Sequence, residues 1–216
     1  MKSGEKIMFL FICLLLSAYL LGSVSSSNII AKAHDIDLKN VGSGNFGATN
    51  TLRALGWKLG LLTLLLDAFK GAILVIVSWN ILSLPLWQVA IISLAVIIGH
   101  AYSVFLGFKG GKAIATGGGI FLVLNPLAAV IAILVFVIIY YFTKYVSLGS
   151  LYAATAILVS QGLKGRSCAW GDNLYITIFS VLVLVLVLYL HRSNIVKLWH
   201  NTENKTYLKT RSTEVN

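Results

Sequence analysis

The chain has 216 residues, 58% of them hydrophobic and 11% charged, with a mean hydropathy of +0.88, whereas soluble domains are about one-quarter charged. That composition excludes a separate soluble domain and predicts one polytopic membrane bundle over residues 1–195, followed by a basic tail at 196–216. The net charge of +10 fits the positive-inside bias of membrane proteins rather than nucleic-acid binding.

Residues 7–24 form the first apolar run. The preceding MKSGEK and the small residues Gly22 to Ser25 have the form of a signal peptide. Later spans insert without cleavage, so the run is read as a membrane span. Cys13 lies inside it and Cys168 in a later loop, which gives neither a disulfide framework nor a metal site. Next comes a polar knot, GSGNFGATN, from Gly42 to Asn50. It fits G-x-G-x-x-G, but no strand or βαβ unit surrounds it, so a dinucleotide is not implied. The physics of that motif remains: glycines let backbone amides approach an anion, and a following helix offers free N–H groups. A helix starting near Asn45 sets Asn45, Thr49 and Arg53 on one face. The plainer alternative is a capped helix start with a snorkelling arginine.

The second span covers 57–80 and contains Asp67 and Lys70, whose spacing suits a structural ion pair. The third covers 86–106. A second knot follows, Gly107 to Thr116 (GFKGGKAIAT), one residue short of a P-loop and without Ser or Thr after Lys112. A nucleoside triphosphate is therefore not implied, while Gly110, Gly111 and Lys112 suit a phosphate. The apolar stretch 111–141 overshoots a hydrocarbon core of about 30 Å, and Asn125-Pro126 interrupts it. It is read as a short recessed half-span at 112–124 and a second span to 141. Gly111, Ala115 and Gly119, four apart, also suit close helix packing. Residues 147–163 and 173–191 complete the set, with Ser147 a candidate N-cap. The last span closes on HRSNI, where His191 and Asn194 share a face, and His191 is also read as a cation favoured by the helix dipole. His34 and His100 lack metal-ligand spacing.

Seven crossings put residues 32–58, 109–112, 144–147 and the tail on one side, so the polar knots meet. That side carries twelve of the 17 Lys and Arg, the other only Lys2, Lys6, Lys164 and Arg166, and Lys70 lies within a span. The knots are thus expected in the cytoplasm and the N-terminus outside. The expected fold is an all-α, seven-span bundle.

Together, LLGS at 20–23, DLKNVGSGNFGATNTLRALG, LLLDAFKG, GHAYSVFLGFKGGKAIAT, KYVSL and HRSNI resemble the bacterial membrane acyl-phosphate:glycerol-3-phosphate acyltransferases. The resemblance implies a bacterial inner-membrane enzyme with its active site open to the cytoplasm. The implied reaction moves a fatty acyl group from acyl phosphate to glycerol 3-phosphate, giving lysophosphatidic acid and phosphate in phospholipid biosynthesis. Carried over residue by residue, the catalytic positions are Ser43, Lys112 and His191, and the substrate-binding positions Asn45, Thr49, Arg53, Gly110, Gly111, Ser147 and Asn194. Arg53 and Lys112 would supply charge, the amides of Gly110 to Lys112 a cradle, and Ser43, Asn45 and Thr49 orientation of the acyl phosphate. The glycerol proton goes either to His191 or, slightly favoured, to the acyl phosphate itself. No cofactor or metal is expected. The implied surroundings are membrane lipid and a soluble acyl-phosphate-producing enzyme, without nucleic acid. Ser25 and Ser103 stand where the family generally has proline, Ala113 where it has glycine, and Leu190 where it has arginine.

Two other readings compete: a transporter binding an anion at broken spans, and an inactive lipid-binding homologue. A transporter needs polar groups along a path to both faces, and the outer apolar runs are nearly free of them. The H-x-x-x-x-D acyltransferase signature is absent, since Lys39, Phe105, Val196 and Lys205 occupy its aspartate position.

Overall fold

The computed structural model describes residues 3–163 and 170–207. Lys2, Lys164, Arg166, Cys168, Lys209 and Arg211 lie outside them, as does the side chain of Lys6. The described residues are helical, with an isolated antiparallel bridge between Ser103 and Lys109. In chain order the helices are α1 (Ser3–Ser23), α2 (Ser26–Lys32), α3 (Ala48–Leu55), α4 (Trp57–Val75), α5 (Leu86–Ala101), α6 (Ile114–Leu124), α7 (Pro126–Thr143), α8 (Val146–Leu163), α9 (Trp170–Leu190) and α10 (Arg192–Trp199).

Among the described residues, three segments are long and apolar enough to cross a membrane: Met8–Lys32, Trp57–Ile81 and Pro126–Thr143. A fourth is reached if α9 and α10, bent by 59° at His191, form one span, while α5, α6 and α8 are shorter apolar helices. The radial pattern differs from that of a soluble protein, since apolar side chains cover the outside as well as forming a core that includes Ile92, Ile120 and Phe121. Phe69 and Phe142 are 63% and 79% exposed, whereas Thr63, Ser93 and Thr116 are fully buried. Apolar side chains therefore face outward, and small polar ones join apolar ones at the helix contacts, as in a lipid-solvated bundle.

Helix ends follow local chemistry. Asn125 closes α6 and caps α7 by accepting the Ala128 N–H at 3.3 Å, and Pro126 opens α7, where its missing N–H costs nothing. The break expected at Asn-Pro is there. Beyond Val75 the chain widens into a π-turn, Ile76–Ile81, with Leu82 N bonded to Val77 O. The third span ends at Ala101, earlier than the expected 106, because the chain tightens into a 3₁₀ turn at Val104–Leu106. Two serines in proline positions both make hydrogen bonds. Ser25 caps α2 through Asn28 N, and the buried Ser103 hydroxyl donates to Ser23 O at 2.6 Å.

Small residues set the closest crossings. Helices α1 and α5 run side by side in the same direction: Phe11 stacks edge-on against Trp87, and a Cβ at Gly99 would lie 2.2 Å from Tyr19 O. A Cβ at Gly119 of α6 would fall 1.9 Å from Ala68 O of α4, so only glycine allows that contact. Behind this crossing, Asp67 and Lys70 pair at 2.9 Å, as expected. Ser26 donates to Asp67 at 3.1 Å and Lys70 to Val24 O at 2.9 Å, which compensates both buried charges. Helices α7 and α8 form an antiparallel hairpin tied at its far end by Asn125 and Gln161 at 2.9 Å.

Candidate active site

The first knot is built by its glycines and by Asn50. Gly42 and Gly44 adopt positive φ (+60° and +68°), a region costly for residues with a Cβ. The turns fold the knot back on Asn50, which is buried and uses its amide twice: it accepts from Ser43 N at 2.9 Å and donates to Leu38 O at 3.1 Å. Helix α3 therefore starts at Ala48 rather than near Asn45. Gly47 is extended and its carbonyl takes Asn50 N and Thr51 N. Asn45 stands in the turn, while Thr49 and Arg53 lie one helical turn apart.

The second knot differs from the expected cradle. Gly111 N–H is bonded to His100 O at 3.0 Å. A Cβ at Gly110 would sit 2.1 Å from that carbonyl, and one at Gly111 2.1 Å from His100 Nε2. These glycines allow the loop to lie against the end of α5, and neither lines the cavity described below. Lys112 does line it. Ala113 follows in the left-handed region, φ +58°, at the start of α6.

At the third knot, His191 forms the turn between α9 and α10. Its Nδ1 lies 2.9 Å from Val187 O; a carbonyl only accepts, so Nδ1 carries the hydrogen and Nε2 the lone pair. Burial, and then the charge of Lys112, push its pKa down to about 4. At neutral pH it is an uncharged imidazole, not the dipole-favoured cation. Asn194 joins two segments: Oδ1 accepts from Lys112 Nζ, and Nδ2 donates to Glu203 at 2.7 Å.

Glu203 belongs to a strap at residues 200–207 that packs against the bundle. The same carboxylate oxygen accepts from Ser147 at 3.0 Å, so Ser147, the second residue of α8, is a site contact and not a cap. Arg53 donates to Asn204 O at 3.1 Å and to the Thr206 hydroxyl at 2.7 Å. Thr206 is tied in turn to Lys144 O and to the Tyr140 hydroxyl. The boundary expected after residue 195 falls inside α10, and the segment beyond it completes the site wall.

All the expected site residues except Gly110 and Gly111 line one cavity of about 430 Å³. Polar groups and the Arg53 and Lys112 cations form one end. The other runs between Ala129, Ala132 and Phe136 of α7, Ala153 and Ile157 of α8, and Val183 of α9. Burial lowers the pKa of Lys112 to about 8; Glu203 opposes the shift, and Arg53 and Lys197 add to it. Burial also lowers that of Arg53, with Glu203 opposing. Sequence reasoning missed Asn50, Glu203 and Thr206. For Glu203 the signal was a carboxylate within the basic run from Lys197 to Arg211; for Asn50 and Thr206 there was none. Fixed donors and cations at one end and an apolar recess at the other suit an anionic head on a long apolar chain.

The glycerol-3-phosphate acyltransferase family matches residues 12–201. A glycerol-3-phosphate acyltransferase of Geotalea daltonii is 43% identical over 193 residues, covering 89% of this chain and 96% of the relative. One from Aquifex aeolicus is 37% identical, covering 89% and 97%. Among solved structures, the crystal structure of PlsY (YgiH), an integral membrane glycerol 3-phosphate acyltransferase, in its glycerol 3-phosphate form is 36% identical. It superposes with a TM-score of 0.85 over 91% of this chain and 96% of that one. Its lysophosphatidic acid form gives a TM-score of 0.83 at 34% identity. With the match running from the first apolar helix through the last polar knot, the chain belongs to the glycerol-3-phosphate acyltransferase family.

Proposed function

We propose that this protein transfers a fatty acyl group from a fatty acyl phosphate to glycerol 3-phosphate, releasing lysophosphatidic acid and phosphate. The observation that carries this reading is the single cavity whose cationic end is continuous with an apolar recess. An acyl phosphate needs both at once. We read the chain as crossing the bacterial inner membrane seven times, with α1, α4, α5, α6, α7, α8 and α9 as the crossings, the N-terminus outside and the cavity mouth in the cytoplasm. Supporting this are the charge asymmetry of the loops and the convergence of every polar knot on one cavity. The acyl phosphate is supplied by a separate soluble enzyme.

In the reaction, the glycerol hydroxyl oxygen bonds to the acyl carbon, and the carbon–oxygen bond to phosphate breaks, the electron pair leaving with the phosphate. Arg53 and Lys112 neutralise phosphate charge, and Ser43, Asn45 and Thr49 orient the acyl phosphate. The hydroxyl proton goes to the departing phosphate. His191 offers an Nε2 lone pair, but a group with a pKa near 4 is a weak base at neutral pH; its role is to accept a hydrogen bond that orients the glycerol hydroxyl.

The test is a proteoliposome assay of phosphate release. Release from palmitoyl phosphate is expected only with glycerol 3-phosphate present, and Arg53→Ala or Lys112→Ala should lower kcat/KM by about 100-fold or more. Release that ignores the acceptor would overturn the reaction. Unchanged turnover in both variants would overturn the site. His191→Gln should retain measurable turnover; complete loss with both substrates still bound would make the histidine the base.

A further inference from the structure

His100 is buried at the end of α5, lines the large cavity and takes no part in the transfer step. Its ring is held from behind: Nδ1 lies 3.7 Å from the carboxylate of Asp67, which is itself fixed by Lys70 and Ser26. The same nitrogen is hydrogen-bonded to the Thr116 hydroxyl of α6 at 3.2 Å. Ala115 and Gly117 line the cavity and the fully buried Thr116 between them does not, so α6 turns that hydroxyl away from the cavity and onto His100.

On the far side of the ring, Nε2 meets the chain again. A Cβ at Gly111 would fall 2.1 Å from Nε2 and 2.5 Å from Phe46 O, so Gly111 is clamped between the imidazole and the first knot. The Gly111 N–H is bonded to the His100 carbonyl as well. One histidine therefore holds the residue just before Lys112 and the residue one helical turn after it. The chain between those points needs holding. Residues 110–113 form coil and Ala113 is left-handed, and coil keeps a backbone freedom that helical hydrogen bonds would remove. Any error in that backbone carries through to the Lys112 amine, and a displacement of about 1 Å in a reacting site can cost about 100-fold in rate.

Resting on the reading of Lys112 as a phosphate-neutralising cation of acyl transfer, we propose that His100 is a positioning residue for Lys112. Its ring and its carbonyl set the backbone on both sides of that lysine, and Asp67 holds the ring. The buried Asp67–Lys70 pair thereby serves the active site, acting through His100 rather than on substrate.

Loss of a buried histidine can also unfold the protein, so the decisive variants are at Thr116. Thr116→Val keeps the shape and removes the hydroxyl, whereas Thr116→Ser keeps the hydroxyl. In proteoliposomes, Thr116→Val should lower kcat/KM for palmitoyl phosphate about tenfold, with Thr116→Ser within about twofold of wild type. The lysine itself is read in micelles by NMR of ¹³C-methylated lysine amines, its signal identified by its absence from Lys112→Arg. Burial, aided by Arg53 and Lys197 and opposed by Glu203, holds the Lys112 pKa down to about 8. A lysine released from its place should therefore titrate at least about half a unit higher in Thr116→Val, toward the ordinary value, and unchanged in Thr116→Ser. His100→Phe should move both readings further in the same directions. An unmoved Lys112 titration in Thr116→Val, or a moved one with unchanged turnover, overturns the assignment, because a side chain that only filled space would give either. A wild type that transfers no acyl group while the Lys112 titration still shifts in Thr116→Val refutes the reaction and leaves the positioning role standing.

Discussion

Lys112 is a half-buried cation whose charge the site needs and whose burial the fold opposes. Its pKa, lowered to about 8, makes those demands visible on opposite sides of one titration. Below that value it is protonated and binds phosphate; as pH rises through it, the charge is lost, so KM for the phosphorylated substrates should climb above pH 8. Stability should move the other way. Between about pH 8 and the ordinary lysine value the unfolded chain binds the extra proton, so unfolding becomes harder as pH rises there. Kinetics and thermal melts across pH 7 to about 10 check both slopes; Lys112→Arg, charged throughout, should flatten both. Ala113 gives a second prediction. It holds φ +58°, where glycine is at no disadvantage and a Cβ costs about 1 kcal/mol. Ala113→Gly should raise stability by about that amount in detergent melts, offset in part by the greater freedom of the unfolded chain. The sequence drew attention to Ala113 through its departure from the family pattern; the sign of its φ came only from the structure.

Among the elements, those whose limits depend on local covalent chemistry were legible in advance. Asn125-Pro126 splits α6 from α7 because proline cannot continue the earlier helix, and Asp67 meets Lys70 because residues three apart share a helix face. The start of α3 was not legible, because it is set by a distant contact: Asn50 reaching back to Ser43 and Leu38 fixes where the coil ends. The strap was illegible for the same reason. A polar segment with no periodicity carries no signal of what it packs against, and Glu203 is held by Ser147 and Asn194 from two other helices. Glu203→Ala leaves both donors without their acceptor and should cost about 1–3 kcal/mol of stability. Glu203→Gln, which keeps a carbonyl oxygen for them, should cost less. Chemical denaturation in micelles measures both.

For the molecule as a whole, helical character and membrane residence were legible from composition, since long apolar runs in a lipid-facing chain are satisfied by helices. The apolar recess was not legible, because small residues spaced along α7 and α8 carry no signal that separates close packing from open space. Ala132 and Ala153 instead line empty space between the helices. Filling that space should shorten the acceptable chain: Ala153→Phe is expected to lower kcat/KM for palmitoyl phosphate about tenfold relative to decanoyl phosphate. Equal losses for both donors would place the acyl chain elsewhere.

The strap carries one more consequence, for the order in which the protein is made. Residues 200–207 are synthesised after α1 to α10, and among the described residues Arg53 of α3 finds its hydrogen-bond partners in that strap, at Asn204 and Thr206. A partly inserted chain therefore holds an incomplete pocket, however many of its helices are already in the bilayer. Closure of the pocket waits for the strap, so a chain stalled before residue 200 should be membrane-embedded yet inert.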